Sequence, residues 1–251
     1  MKKLLCLFLV LIAFLTGCTN ANPSLESKSS ESSNSINNDS DNEQHSEALG
    51  TIGIGDINLL EDIRDILEDD EMADDEFYDF ILAASPLVKI SGRGIIKEDF
   101  VVLLNLFDSM TVPVLPDAKL TYISYSPDRF YGRFNLAYLT ETGDSYGFTF
   151  FPFSDNFYFD NMITNYTNEA PALLYQKNEE NIKVYENNVY STPGTCWFCL
   201  DISGKFYEAS FSNSDLKAGI IDISMITAED VYKDLTVGPL KNVPWIDRTS
   251  S

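Results

Sequence analysis

Histidine is all but missing from this chain: its 251 residues hold one, His45, in a polar stretch near the N-terminus. With no imidazole beyond that stretch, Ser-His-Asp and Cys-His nucleophile systems, HExxH metalloproteases and histidine acid-base chemistry are excluded. Cysteine is scarce as well, with Cys6, Cys18, Cys196 and Cys199 the whole complement. A structural zinc site uses four Cys or His ligands, so neither a metal nor any other cofactor is expected. Positive charge is the third shortage: 17 Lys and Arg face 39 Asp and Glu, a formal charge of −22. That balance excludes a non-specific nucleic-acid binder, whose affinity comes from clustered cations, and it opposes docking by charge onto anionic lipid. Long hydrophobic runs are absent too. The longest, Leu4 to Leu15, has twelve residues, short of the ~20 that cross a bilayer as a helix. At 44% hydrophobic residues the chain still has ample material for a core.

Ahead of the apolar run stands the cationic Met1-Lys2-Lys3, and after it comes Leu15-Thr16-Gly17-Cys18. A short cationic segment, an apolar stretch of this length and small residues make a secretory signal. Small residues leading into a cysteine resemble the lipobox of bacterial lipoproteins, a resemblance confined to residues 1–18. It implies that residues 1–17 form a signal peptide that is removed, and that Cys18 becomes the first residue with a diacylglyceryl group on its sulfur. Two acyl chains anchor stably where one holds only marginally, at about 0.8 kcal/mol per buried CH₂. The expected place is the extracytoplasmic face of a cell membrane, with the lipid bilayer as the first partner.

Between Thr19 and Leu49, nine Ser, six Asn and six acidic residues fill 31 positions without one aromatic. This composition cannot offset the entropy of ordering a chain. Residues 18–49 therefore read as a lipid-anchored disordered tether, with a reach of roughly 30 Å. Asp39-Ser40-Asp41 looks like a fragment of a calcium loop but lacks the glycine and distal glutamate such loops need. Residues 50–251 remain as a single globular domain, with 33 acidic and 14 basic residues and a charge of −19.

Two serine motifs occur in this domain. Gly143-Asp144-Ser145-Tyr146-Gly147 fits G-x-S-x-G, a motif that works between a strand and a helix with a histidine nearby. Phe148-Thr149-Phe150-Phe151 follows instead, a strand pattern, and Glu141-Thr142-Gly143-Asp144 reads as a hairpin turn. Ser214-Asp215-Leu216-Lys217 fits S-x-x-K, without the companion S-D-N or K-T-G. Neither is assigned a catalytic role.

Cys196-Trp197-Phe198-Cys199 has the spacing of a thioredoxin-type redox pair, which requires a helix at the first cysteine. The local period is two. Phe198, Leu200 and Ile202 alternate with Cys199, Asp201 and Ser203, and Ser203-Gly204 turns into Lys205 to Phe211. This register sets Leu200 opposite Tyr207, Phe198 opposite Ala209 and Cys196 opposite Phe211, with Cys199 on the other face beside Glu208. Residues three apart on a strand are separated by roughly 10 Å, beyond the ~7 Å Cα limit of a disulfide. Free thiols rank ahead of a local disulfide, and a redox catalyst comes last.

The domain opens with acidic helices. Asp56 to Asp79 contains twelve acidic residues in 24, with Leu60, Ile63 and Leu67 at helical spacing behind Asp56 as a cap. A second helix is expected from Asp75 to Ala84, a short strand near Leu87 to Ser91, and a third helix carrying Ile96, Phe100, Leu103, Leu104 and Phe107. From Leu120 the period changes to two. Strands are expected over 120–126, 129–140, 145–153, 183–190, 196–202, 205–211 and 218–224, mostly antiparallel, before a last helix capped at Thr227 and running to Leu235. The predicted class is α+β: N-terminal acidic amphipathic helices packed on a curved, mostly antiparallel β-sheet. Up to Phe153 the order of elements looks like the NTF2-like layout, with no shared motif.

Fifteen of the 45 residues from Tyr122 to Tyr166 are aromatic, enough to fill a core or to offer a platform for sugars. Arg129, Tyr131 and Arg133 project from one side of one strand and form the candidate ligand face, for an anionic or glycan partner. The leading expectation is a non-enzymatic binding or accessory module of the cell envelope. A carboxylate-dependent cell-wall glycan hydrolase, which needs two acids of opposed pKa, is the first alternative. A structural module presenting its acidic helices to a protein partner is the second.

Overall fold

Alternation of apolar and polar residues dominates the second half of the chain, and the structure turns it into one broad sheet. The computed structural model describes residues 50–68, 73–84, 88–92, 94–127, 132–153, 171–187 and 192–247. Strand β1 (Thr51–Ile54) precedes helices α1 (Ile57–Glu68) and α2 (Asp74–Ala83), strand β2 (Val88–Ser91) and helix α3 (Lys97–Ser109). Then come β3 (Thr111–Val114), β4 (Ala118–Ser126), β5 (Arg133–Thr140), β6 (Ser145–Phe150), β7 (Leu173–Lys177), β8 (Ile182–Glu186), β9 (Cys196–Ile202) and β10 (Lys205–Ser212). The one-turn helix α4 (Ser214–Lys217), the short helix α5 (Ala228–Tyr232) and strand β11 (Thr236–Pro239) follow.

Nine strands form a single sheet in the order β2-β1-β4-β5-β6-β10-β9-β8-β7, and β3 pairs with β11 in a separate ribbon. Every neighbouring pair is antiparallel. Two meanders, β4-β5-β6 and β7-β8-β9-β10, meet where β10 lies beside β6, with Phe211 opposite Tyr146 and Glu208 opposite Thr149. One face of the sheet carries the apolar residues of each strand: Ile52 and Ile54, Ile123 and Tyr125, Phe134 and Leu136, Phe148 and Phe150, Phe198 and Leu200, all buried. Aromatic contacts knit this face across strands. Phe134 and Phe150 have ring centroids 5.3 Å apart, Phe150 and Tyr207 5.2 Å, and Tyr138 and Phe148 5.7 Å. From α5, the fully buried Tyr232 meets Phe148 at 6.4 Å and Phe198 edge-on at 5.4 Å. Burying each such ring contributes about 1.5–3 kcal/mol.

The helices add their own apolar stripes to the same core. In α1 the Asp56 carboxylate accepts from the Asn58 N–H at 2.8 Å, fixing the first turn, and Leu59, Leu60 and Ile63 point inward. Glu61, Asp62, Asp65 and Glu68 are exposed. Helix α3 buries Phe100, Leu103, Leu104, Leu106 and Phe107, and its Asp108 carboxylate accepts two N–H bonds from Arg64 of α1 at 2.6 and 3.0 Å. The Thr227 hydroxyl caps α5 by accepting from the Asp230 N–H at 3.1 Å.

The predicted fold class needs correction. Helices wrapped by a curved sheet would make the helices the frame, whereas the frame is the nine-stranded antiparallel sheet and the helices are five short segments among the described residues. The NTF2-like layout falls with that class. Helical spacing over residues 57–109 is strong, so the sequence overweights it. Strands of four or five residues such as β1, β3, β7 and β11 offer too few alternations to register as strands, although β2 falls where a short strand near Leu87 to Ser91 is expected. Two local expectations also change. Residues 218–224 are a turn and part of a 3-10 turn (Ile223–Met225) rather than a strand, because Gly219 takes a left-handed conformation at φ 68°. The last helix ends at Tyr232 instead of Leu235.

Gly53 of β1 sits under the Tyr122 side chain of the neighbouring strand, so closely that a Cβ would fall within its hydroxyl and ring. Burial there pushes the Tyr122 phenol up to about 12. Gly53→Ala is expected to lower unfolding stability by about 1–3 kcal/mol through this overlap. Urea denaturation of Gly53→Ala, with and without Tyr122→Ala, checks it. The loss should shrink in the double variant, and an equal loss in both backgrounds would contradict the packing.

Candidate functional site

The sheet face opposite the apolar wall carries a polar row one residue deep across six strands. Register sets Ser124 of β4 opposite Asn135 of β5, Asn135 opposite Thr149 of β6, and Thr149 opposite Glu208 of β10. Glu208 in turn lies opposite Cys199 of β9, and Cys199 opposite Tyr185 of β8. Period-two geometry makes this row unavoidable once the apolar residues face the core. Hydrogen bonds run along it: Asn135 Nδ2 donates to Ser124 Oγ at 2.9 Å, and Thr149 Oγ1 donates to Asn135 Oδ1 at 2.8 Å.

Two ion pairs adjoin the row, with their carboxylates between the two cations. The Arg133 guanidinium lies 4.0 Å from the Glu208 carboxylate, whose side chain is 10% exposed. On the other side, the Lys183 ammonium lies 3.6 Å from Asp201, 13% exposed. Glu208 and Asp201 are diagonal neighbours on adjacent strands, a backbone spacing of roughly 7–8 Å. Two-carboxylate glycan chemistry uses separations in this range. A guanidinium stands beside one of the two carboxylates and an ammonium beside the other. The arrangement is a largely covered, hydrogen-bonded row with balanced charge: Ser124 and Cys199 are buried, and Asn135 and Thr149 are half-buried.

Of the candidate ligand face, Arg133 belongs to this surface and is engaged with Glu208; Arg129 and Tyr131 lie outside the described residues, as does Cys18. Five described rings of the aromatic stretch supply core, while Phe153 is exposed. Tyr125, Phe134, Tyr138, Phe148 and Phe150 are buried, and the Tyr138 hydroxyl donates to the Pro113 carbonyl at 2.8 Å. Ser145 opens β6 directly after the hairpin turn and is followed by strand, so the context of a nucleophile elbow is not met. Ser214 and Lys217 are the first and last residues of α4, and the Ser214 hydroxyl meets the Asp215 carboxylate at 3.5 Å. Among the described residues no group of three or more His, Cys, Asp and Glu is disposed to hold a metal ion.

Cys196 and Cys199 are free, buried thiols on β9. They occupy opposite faces: Cys196 sits in the core opposite Phe211, and Cys199 sits in the polar row. Burial pushes the Cys196 thiol up; burial, aided by the Glu208 carboxylate, pushes Cys199 up to about 12. A thiol held above its ordinary range supplies almost no thiolate, the nucleophilic form. Sequence reasoning read both positions from alternation. It did not find Thr149 and Asp201 as parts of one surface, because their neighbours are set by the pairing of distant strands.

With a maleimide and peptide mapping, Cys196 and Cys199 are expected to react on the order of a hundredfold more slowly in native protein than in urea. Equal rates in the two conditions would contradict the burial. No known protein family, curated protein or solved structure matches the chain.

Proposed function

We propose that the protein is a lipid-anchored lipoprotein of the bacterial cell envelope, a non-enzymatic binding or accessory module held on the extracytoplasmic face of the membrane. The observation that carries this reading is Leu15-Thr16-Gly17-Cys18 placed directly behind a twelve-residue apolar run and Lys2-Lys3. Acylation of the Cys18 thiol joins two fatty chains to a polar tether, and about 0.8 kcal/mol per buried CH₂ makes that attachment stable. A domain with a charge of −19 is repelled by anionic headgroups, so a tether reaching roughly 30 Å, several Debye lengths at physiological salt, keeps it clear of them.

Two structural features support the reading. Unpaired cysteines are a hazard in an oxidising compartment, and here both thiols of the folded part are buried on opposite faces of one strand, where neither reaches the other. The polar row from Ser124 to Glu208 supplies hydrogen-bonding groups of the kind a glycan or peptide ligand requires.

Metabolic labelling with radioactive palmitate, followed by membrane fractionation, tests the proposal. The native chain should take up label and sediment with membranes, and Cys18→Ala should take up none. Absence of label from the native chain, or undiminished label in Cys18→Ala, would overturn it.

A further inference from the structure

Four sulfur atoms lie among the described residues, in Met110, Cys196, Cys199 and Met225. Three of them are shut away. Cys196 and Cys199 are buried thiols, and Met110, directly behind α3, is 9% exposed. Met225 is 70% exposed.

Local structure explains why this one thioether stands in water. Met225 closes the 3-10 turn Ile223–Met225 between α4 and α5. Its N–H donates to the Asp222 carbonyl at 3.0 Å, and the Ile226 N–H donates to the Ile223 carbonyl at 3.1 Å. The Asp222 carboxylate accepts from the Ser224 N–H at 2.8 Å and from the Ser224 hydroxyl at 2.7 Å. The turn is thus pinned from within. Ile226 packs against the core and Thr227 caps α5, so the segment is anchored immediately after Met225. Ile220 and Ile223, its apolar neighbours along the chain, are exposed themselves and offer the sulfur no cover.

Access and ionisation together decide which sulfur an oxidant reaches. A thiol reacts through its thiolate, and burial holds both thiols above their ordinary range. A thioether has no proton to lose, so access alone governs it.

We propose that Met225, displayed on the turn between α4 and α5, is the site at which this domain takes up peroxides, as a reversible methionine sulfoxide. A sulfur lone pair attacks one oxygen of the peroxide and the O–O bond breaks. The proton of the attacked oxygen passes to the departing one, which leaves as water from hydrogen peroxide or as an alcohol from an alkyl peroxide. Sulfur is oxidised by two electrons and the peroxide is reduced by two. The return step is a two-electron reduction of the sulfoxide, the reaction of methionine sulfoxide reductases. The position suits a reversible change: a sulfoxide at Met225 stays in water, whereas one at Met110 would put a polar group into the core.

The test treats the native full chain with hydrogen peroxide at pH 7 and follows each sulfur by peptide mass. Met225 should gain oxygen at least about tenfold faster than Met110, and the two rates should converge in urea. The Met225 rate should stay level between pH 6 and pH 8. A mixture of the two epimer-specific sulfoxide reductases with dithiothreitol should then remove the oxygen from the folded chain. Met225→Gln, which sets a polar group at this position, should keep the native urea midpoint, and Met110→Gln should lower it. Oxidation of Met225 no faster than Met110 in the native chain, or oxidation of Cys196 or Cys199 ahead of it, would overturn the proposal. So would a rate that rises with pH, retention of the oxygen by the folded chain, or a lowered urea midpoint in Met225→Gln. The result is independent of acylation at Cys18.

Discussion

Side chains along a strand alternate between its two faces, and in β5, β6, β9 and β10 this rule decides almost everything else in the molecule. Phe134, Leu136 and Tyr138 take one side of β5; Phe148 and Phe150 take the same side of β6; Phe198, Leu200 and Tyr207 continue it on β9 and β10. The resulting wall is buried, and edge-on and tilted ring contacts carry it from β5 to β10. Helix α5 closes it with Tyr232, which touches Phe148 of β6 and Phe198 of β9 and so ties the two meanders to one segment of the C-terminal region.

The opposite face inherits its chemistry from the same rule. Once the rings face inward, Ser124, Asn135, Thr149, Glu208 and Cys199 fall into one row, joined by hydrogen bonds at one end and flanked by ion pairs at the other. Low exposure of Glu208 and Asp201 makes these pairs more than decoration, since a charge with little water needs a partner. Two exceptions to the alternation stand out. Cys199 lies buried in the polar row, and Lys205 lies among the rings. In each case burial moves the group away from its ordinary ionisation, the thiol up and the amine down.

Much of this was legible wherever neighbours in space are neighbours in sequence. The β9–β10 hairpin has the register expected from its period and two-residue turn, with Leu200 opposite Tyr207, Phe198 opposite Ala209 and Cys196 opposite Phe211. The inward face of α3 and the Thr227 cap were equally plain. What local pattern could not convey was the pairing of β10 with β6, since two strands some sixty residues apart leave no periodic trace of each other. The polar row depends on that pairing, so Thr149 and Glu208 could not be joined beforehand. Arg133 was visible as a cation on an outward face, but its partner Glu208 was not. The helix-first reading of the fold failed for a related reason: strands of four residues show two side chains per face, too few to compete with the strong helical spacing beside them.

Tyr232 offers the most direct trial of the account. Its side chain is fully buried, while its hydroxyl has no hydrogen-bond partner among the described residues, so the ring and not the hydroxyl should carry its contribution. Equilibrium unfolding of Tyr232→Ala should show a loss of about 3–5 kcal/mol, and Tyr232→Phe should stay within ~1 kcal/mol of the native chain. A loss below ~1 kcal/mol for the alanine variant would contradict the claim that the aromatic wall holds this sheet together.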